Sequence, residues 1–267
     1  MAEQLRMYGV LVWAWTRSAA QYPVSLVLLG VGSAVVTGLD ALAIVIVFTG
    51  ADRLGGFTAA EVLFLYATAA LAFQASDALL GNTELLSRHV REGTFDTMMT
   101  RPVSPLVQIA TERFNPRRPI RIVLPAVLLA LVLPRLDVPW TPGRAAVVAV
   151  MVVSGTAIFC GIWVLAASVQ FVLMESHGAT KSLTYGGGFL TQYPLSLFAR
   201  DFVRGVTFVV PLAFVNWQPA LYVLDRPDPL GLPGPARFAS PAVAVVTCAA
   251  AALAWRTGLR RYRSTGN

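Results

Sequence analysis

The sequence predicts an all-α, polytopic membrane protein with six transmembrane helices, and three observations predict it. Hydrophobic residues fill 56% of the 267 positions and charged residues only 13%, about half the ~25% charged share of a soluble domain. Apolar runs near or beyond ~20 residues, the length that crosses a ~30 Å hydrocarbon core, recur along a chain whose mean hydropathy is +0.64. The basic residues, arginine in every case but Lys181, gather between those runs.

The elements follow in chain order. In MAEQLRMYGVLVWAWTRSAA, Leu5, Tyr8, Val12 and Trp15 recur at helical spacing with Arg6 and Arg17 among them. That pattern predicts a helix over 1–20 lying in the membrane interface. Spans are expected at about 22–49, 59–81, 119–134, 144–173, 201–217 and 238–256. The first run outlasts the ~7–15-residue core of a signal peptide and is read as a retained span. The third is short: Arg118 and Arg121 are expected to snorkel to the inner headgroups, and Pro125 to kink it. Ahead of the fifth, KSLTYGGGFLTQYPLSLFARDF carries Gly186–Gly188 and Pro194, which suggest a bent, interfacial stretch on the cytoplasmic side. After it, residues 218–237, rich in Pro and Gly, are expected to form an outer re-entrant or surface segment. The whole chain, 1–267, reads as one transmembrane domain.

Orientation comes from the charges. With a cytoplasmic N-terminus, sixteen basic residues lie inside, and only Arg53, Arg135, Arg144, Arg226 and Arg237 lie outside. A bias of that size across short loops sets both termini in the cytoplasm. It also accounts for the net charge of +7 without a nucleic-acid partner.

Much soluble-enzyme chemistry is missing. No Walker A pattern occurs, so the chain has no P-loop nucleotide site. The triple glycine is no dinucleotide fingerprint, and no nucleophile elbow is present. His89 and His177 stand apart, without Cys or carboxylate at metal-ligand spacing. Cys160 and Cys248 lie within apolar runs and read as small packed residues. No cofactor is expected in this chain. Asp40, in VTGLDALAIV, is an acidic group at bilayer depth. It either faces a translocation pathway or makes a helix–helix hydrogen bond. Asp77, near the cytoplasmic end of the second span, reads as the latter kind of contact.

The longest cytoplasmic segment is 82–118. NTELLSRHVREG predicts a short amphipathic helix with Leu85, Leu86, His89 and Val90 on one side, ended by Gly93. Thr94 is expected to cap a second turn, FDTMMT, which stops before Pro102. Phe95, Met98 and Met99 would give that turn an adaptable apolar surface, with Asp96 and Arg101 at its edges. By topology alone the loop is a solvated, arginine-bearing inside loop.

EGTFDTMMTRPVSPLVQ after the second span resembles the six-span export permeases of the ABC-2 type. So do QYPLSLFA (192–199), VVPLAFVNWQPALYVL (209–224) and GLRRYRSTGN (258–267). That resemblance implies a permease subunit in a bacterial plasma membrane, moving its substrate out of the cytoplasm or inner leaflet. It implies pairing with a second permease, identical or related, and with two copies of a cytoplasmic ABC ATPase that binds ATP and Mg. By the same resemblance, Glu92, Gly93, Thr94, Phe95, Asp96, Met98, Met99, Arg101 and Pro102 belong to the coupling helix that docks on the ATPase. The arginines of GLRRYRSTGN suit either anionic lipid headgroups or the ATPase. Two other classes stay open on the residues alone: an ATP-independent, proton-coupled carrier using Asp40, and a non-transporting membrane scaffold.

Overall fold

The computed structural model describes residues 23–112, 117–171 and 177–262, with Gly9 and Arg17. The interfacial helix expected over 1–20 and the tail from 263 therefore lie outside the described residues, save those two positions. What is described is helical, without a strand. The helices are α1 (Pro23–Val47), α2 (Ala59–Leu80), α3 (Leu86–Arg91), α4 (Thr94–Met99), α5 (Pro105–Thr111) and α6 (Arg117–Val132). They continue with α7 (Pro142–Val169), α8 (His177–Leu190), α9 (Arg200–Phe208), α10 (Trp217–Val223) and α11 (Ser240–Arg261).

Four of these runs are long and apolar enough to cross a membrane: Gly30–Val47, Ala59–Arg91, Pro142–Val169 and Ser240–Arg261. The pair α9–α10 would be a fifth if counted as one span. Helix α6, with 16 residues, is about 24 Å long, about 6 Å short of the hydrocarbon thickness.

The centre of the bundle is α2. A capping box opens it: the Thr58 hydroxyl accepts from the Glu61 backbone N–H, and the Glu61 carboxylate accepts from that of Thr58. Phe64, Leu65, Ala67 and Ala69 are wholly enclosed, with α6 and α7 packed alongside. Thr141 caps α7, and Pro142 occupies its first turn, where a missing N–H costs nothing. Helix α11 lies along α7. Only 6% of the Gly30–Val47 stretch of α1 is buried, so Val31, Val35, Leu39 and Ile46 face outward. Cys248 is exposed as well, contrary to the expectation that both cysteines pack inside.

The region after α7 departs from expectation. Residues 201–217 form no single helix, because α9 and α10 bend by 78° at a break. The earlier α8 has 14 residues, and the triple glycine within it stays helical. Tyr185 packs edge-on to Trp163 and Phe73, and Gly188 lies under the Phe73 ring. Tertiary packing overrides the weak propensity of glycine here. Beyond α8, the Ser196 hydroxyl donates to the Gly55 carbonyl in the α1–α2 connection (3.1 Å). The chain has by then run from the 82–112 end of the bundle to the 48–58 end. Arg200 and Arg204 therefore stand with the 48–58 end, opposite to the side expected from the sequence.

From α9 the backbone folds back into the bundle. Val215 is enclosed, and its carbonyl lies so near Gly155 that a Cβ there would come within 2.7 Å of it. Glycine is the residue that lets α7 pass. The irregular turn needs internal partners at this depth, and Asn216 supplies them: its Nδ2 donates to the carbonyls of Leu65 and Thr191, each at 3.0 Å. Helix α10 then leads back to Arg226, which grips Glu61 through Nε and Nη2 at 2.9–3.1 Å. The same guanidinium sits over the Phe57 ring, 5.5 Å from its centroid.

Candidate functional site

The functional candidates collect at the 82–112 end. Helix α2 passes through a 3-10 turn, Gly81–Leu85, into α3, whose Leu86, Ser87, His89 and Val90 are buried. Gln170, at the end of α7, accepts from the Ser87 backbone N–H (2.8 Å). Gly93 has φ +68°, a left-handed conformation that costs an L-residue ~1–2 kcal/mol. It turns the chain sharply between α3 and α4.

Side chains then lock the three short helices together. His89 holds Thr94 Oγ1 through Nδ1 (2.9 Å) and Glu112 Oε2 through Nε2 (2.5 Å). Asn82 Nδ2 donates to the carbonyls of Ala110 (3.1 Å) and Glu112 (2.7 Å). Gln108 Nε2 donates to those of Met98 (2.8 Å) and Val103 (2.7 Å). These bonds tie the three short helices to one another, while Ser87 Oγ, His89 Nε2 and Glu112 Oε2 are buried without a hydrogen bond.

Two expectations need correcting. Thr94 is not a cap: Gly93 precedes the helix, and the Thr94 hydroxyl is engaged with His89. Nor is Phe95 part of an exposed surface. It is fully enclosed, its ring 4.9 Å from Tyr262 and 5.6 Å from Phe171. Phe171 in turn meets Trp255 at 5.2 Å. These edge-on contacts fasten α4 to the end of α7 and the end of α11. A six-residue helix gives no periodicity to tell its inner face from its outer one, and the partners of Phe95 lie far along the chain. Burial, and then the Asp96 carboxylate beside it, push the Tyr262 hydroxyl up to about 12, so it stays neutral.

The other predicted residues do come together on the outside of this body. Glu92, Met99, Arg101 and Pro102 are exposed, while Gly93, Asp96 and Met98 are half-buried. Thr97, Met98, Arg101, Gln108 and Glu112 border a hollow of ≈ 350 Å³ next to them. Arg88 pairs with Glu92 on the same face (3.4 Å).

Arg118 does not snorkel. It turns inward, donating from Nη1 to the Asp77 carbonyl (2.9 Å), with Nε 3.5 Å from the Asp77 carboxylate. Two helices are tied by a buried ion pair, because a carboxylate at this depth needs a cation. Asp40 lies apart from the loop, on the open side of α1, where the Tyr66 hydroxyl donates to its Oδ2 (3.2 Å). Sequence reading missed the His89–Glu112 and Glu61–Arg226 pairs. The T-x-x-E spacing of Thr58 and Glu61 is a legible capping signal, but nothing local points from Glu61 to Arg226.

A family model described as ABC-2 family transporter protein matches residues 34–266. Among curated proteins and among solved structures, none matches.

Proposed function

The chain belongs to the ABC-2 family of transporter proteins, and from that premise we propose that it is the membrane-spanning permease subunit of an ATP-driven exporter. Six crossings are made by α1, α2, α6, α7, α8 and α11, with α9 and α10 dipping in from the outer side. Both termini and the 82–112 body are cytoplasmic, in a bacterial plasma membrane. With Arg200 and Arg204 on the outer side, fourteen basic residues lie inside against seven outside, and that bias supports this orientation.

The coupling surface is Glu92, Gly93, Thr94, Asp96, Met98, Met99, Arg101 and Pro102. It meets a separate ATPase, present in two copies, which binds ATP and Mg. The chain's own sequence has no P-loop for that purpose. Met98 and Met99 offer adaptable apolar contact, and Glu92, Asp96 and Arg101 fix register by charge. Phe95 acts from the inside. When the ATPases close, force on α4 passes through Phe95 to Phe171, Trp255 and Tyr262, and so to α7 and α11. Such a push biases the bundle between two packings. A second permease, identical or related, lies across the pathway, and the bare face of α1 suits a contact in the membrane.

The observation that carries this reading is the exposed α4 surface rooted by Phe95 in two long helices. The test is co-purification of an ABC ATPase with the chain from its native membrane. Arg101→Glu is expected to lose the ATPase while the permease stays folded. An unchanged ATPase yield would contradict the coupling role.

A further inference from the structure

We propose that the cavity between α1, α2 and α6 is a binding site for an anionic lipid of the inner leaflet. The hollow has ≈ 380 Å³. Ser33 and Thr37 border it from α1, Gln74 from α2 and Arg121 from α6, with Leu28 and Val36 as apolar rim. Its residues make no use of the 82–112 body.

The chemistry of the walls selects the ligand. Arg121 is exposed, in the second turn of α6. Its charge acts on the Asp77 carboxylate, but the close ion pair and the hydrogen bond to Asp77 come from Arg118. A guanidinium within a spanning helix needs an anion, and its planar fork matches a phosphate. Hydroxyls and an amide at the same cavity can hydrogen-bond the remaining headgroup oxygens. A free anion would leave the apolar rim of Leu28 and Val36 without a partner. A phospholipid covers them with its acyl chains. The cavity sits towards the 82–112 ends of α2 and α6. The orientation proposed above makes that the inner leaflet, whereas the preference for an anionic amphiphile does not rest on that orientation.

The test uses the purified full chain without any ATPase, so its failure is separable from failure of the permease reading. Native mass spectrometry measures binding of phosphatidylglycerol, phosphatidylcholine and soluble glycerol phosphate. The wild type is expected to bind phosphatidylglycerol about fivefold more tightly than phosphatidylcholine, the preference one arginine near a headgroup gives. Arg121→Gln should abolish that preference. Gly32→Leu should abolish it too by filling the cavity, since a Cβ at Gly32 meets nothing within 4 Å. Arg135→Gln, on an exposed arginine at the other end of α6, should leave the preference intact. The proposal is overturned by equal binding of the two lipids to the wild type, or by a preference that survives either cavity variant. Glycerol phosphate competing as well as the lipid would also overturn it.

Discussion

Gly93 and Phe95 are two residues apart and are legible to very different degrees. Gly93 could be recognised in the sequence, since a glycine after an amphipathic turn is the usual C-terminal stop, and its φ of +68° fits that role. Gly93→Ala is expected to destabilise the loop by ~1–2 kcal/mol. That should appear as a lower melting temperature for the purified permease and weaker retention of the ATPase. Gly93→Asn, which tolerates this conformation better, should lie between. An alanine variant indistinguishable from wild type in both measurements would remove Gly93 from the account. Phe95 was not legible as an anchor, because burial against Phe171 and Tyr262 is a property of three distant segments meeting. Arg118 teaches the same lesson: its pairing with Asp77 replaces the headgroup contact that its position in the chain suggested.

Among the elements, four of the expected spans correspond to α1, α2, α7 and α11, each long and apolar enough to cross, while the expected third span is the 16-residue α6. Long apolar runs carry their own signal. In the region after α7, Gly186–Gly188 look like breakers but stay helical, and the apolar stretch after Arg200 is a bent helix pair, a broken span or a re-entrant loop, in place of one straight helix. Packing accounts for both: Phe73 and Trp163 support α8, and Asn216 and Gly155 hold the folded-back turn. If α8 crosses, a cysteine replacing Ser196 reacts with a membrane-impermeant maleimide added to intact cells or spheroplasts. One replacing Arg91 reacts only after permeabilisation. Reaction of Ser196→Cys only from the inside would restore the first topology. The α4 anchor makes its own prediction. Phe95→Ala removes a buried aromatic, a loss of ~3–5 kcal/mol, and should leave ATPase hydrolysis running without transport in a reconstituted complex. Met99→Glu should instead prevent assembly. Identical phenotypes for the two would mean that Phe95 does not transmit.

For the whole molecule, the fold class was legible and the assembly is not contained in one chain. Composition and arginine distribution point to a helical membrane protein with one strongly basic end, whereas the partner must be argued from the surface left over. That surface is the exposed rim of α4 around short helices that Asn82 and Gln108 hydrogen-bond together. The most direct test of the exporter reading is photo-crosslinking in native membranes, with a benzophenone amino acid at Met99 and, as control, at Pro229. The Met99 probe is expected to capture a protein whose sequence carries a Walker A motif, and the Pro229 probe is not. Capture of no such protein from Met99, or of the same one from both positions, would contradict it.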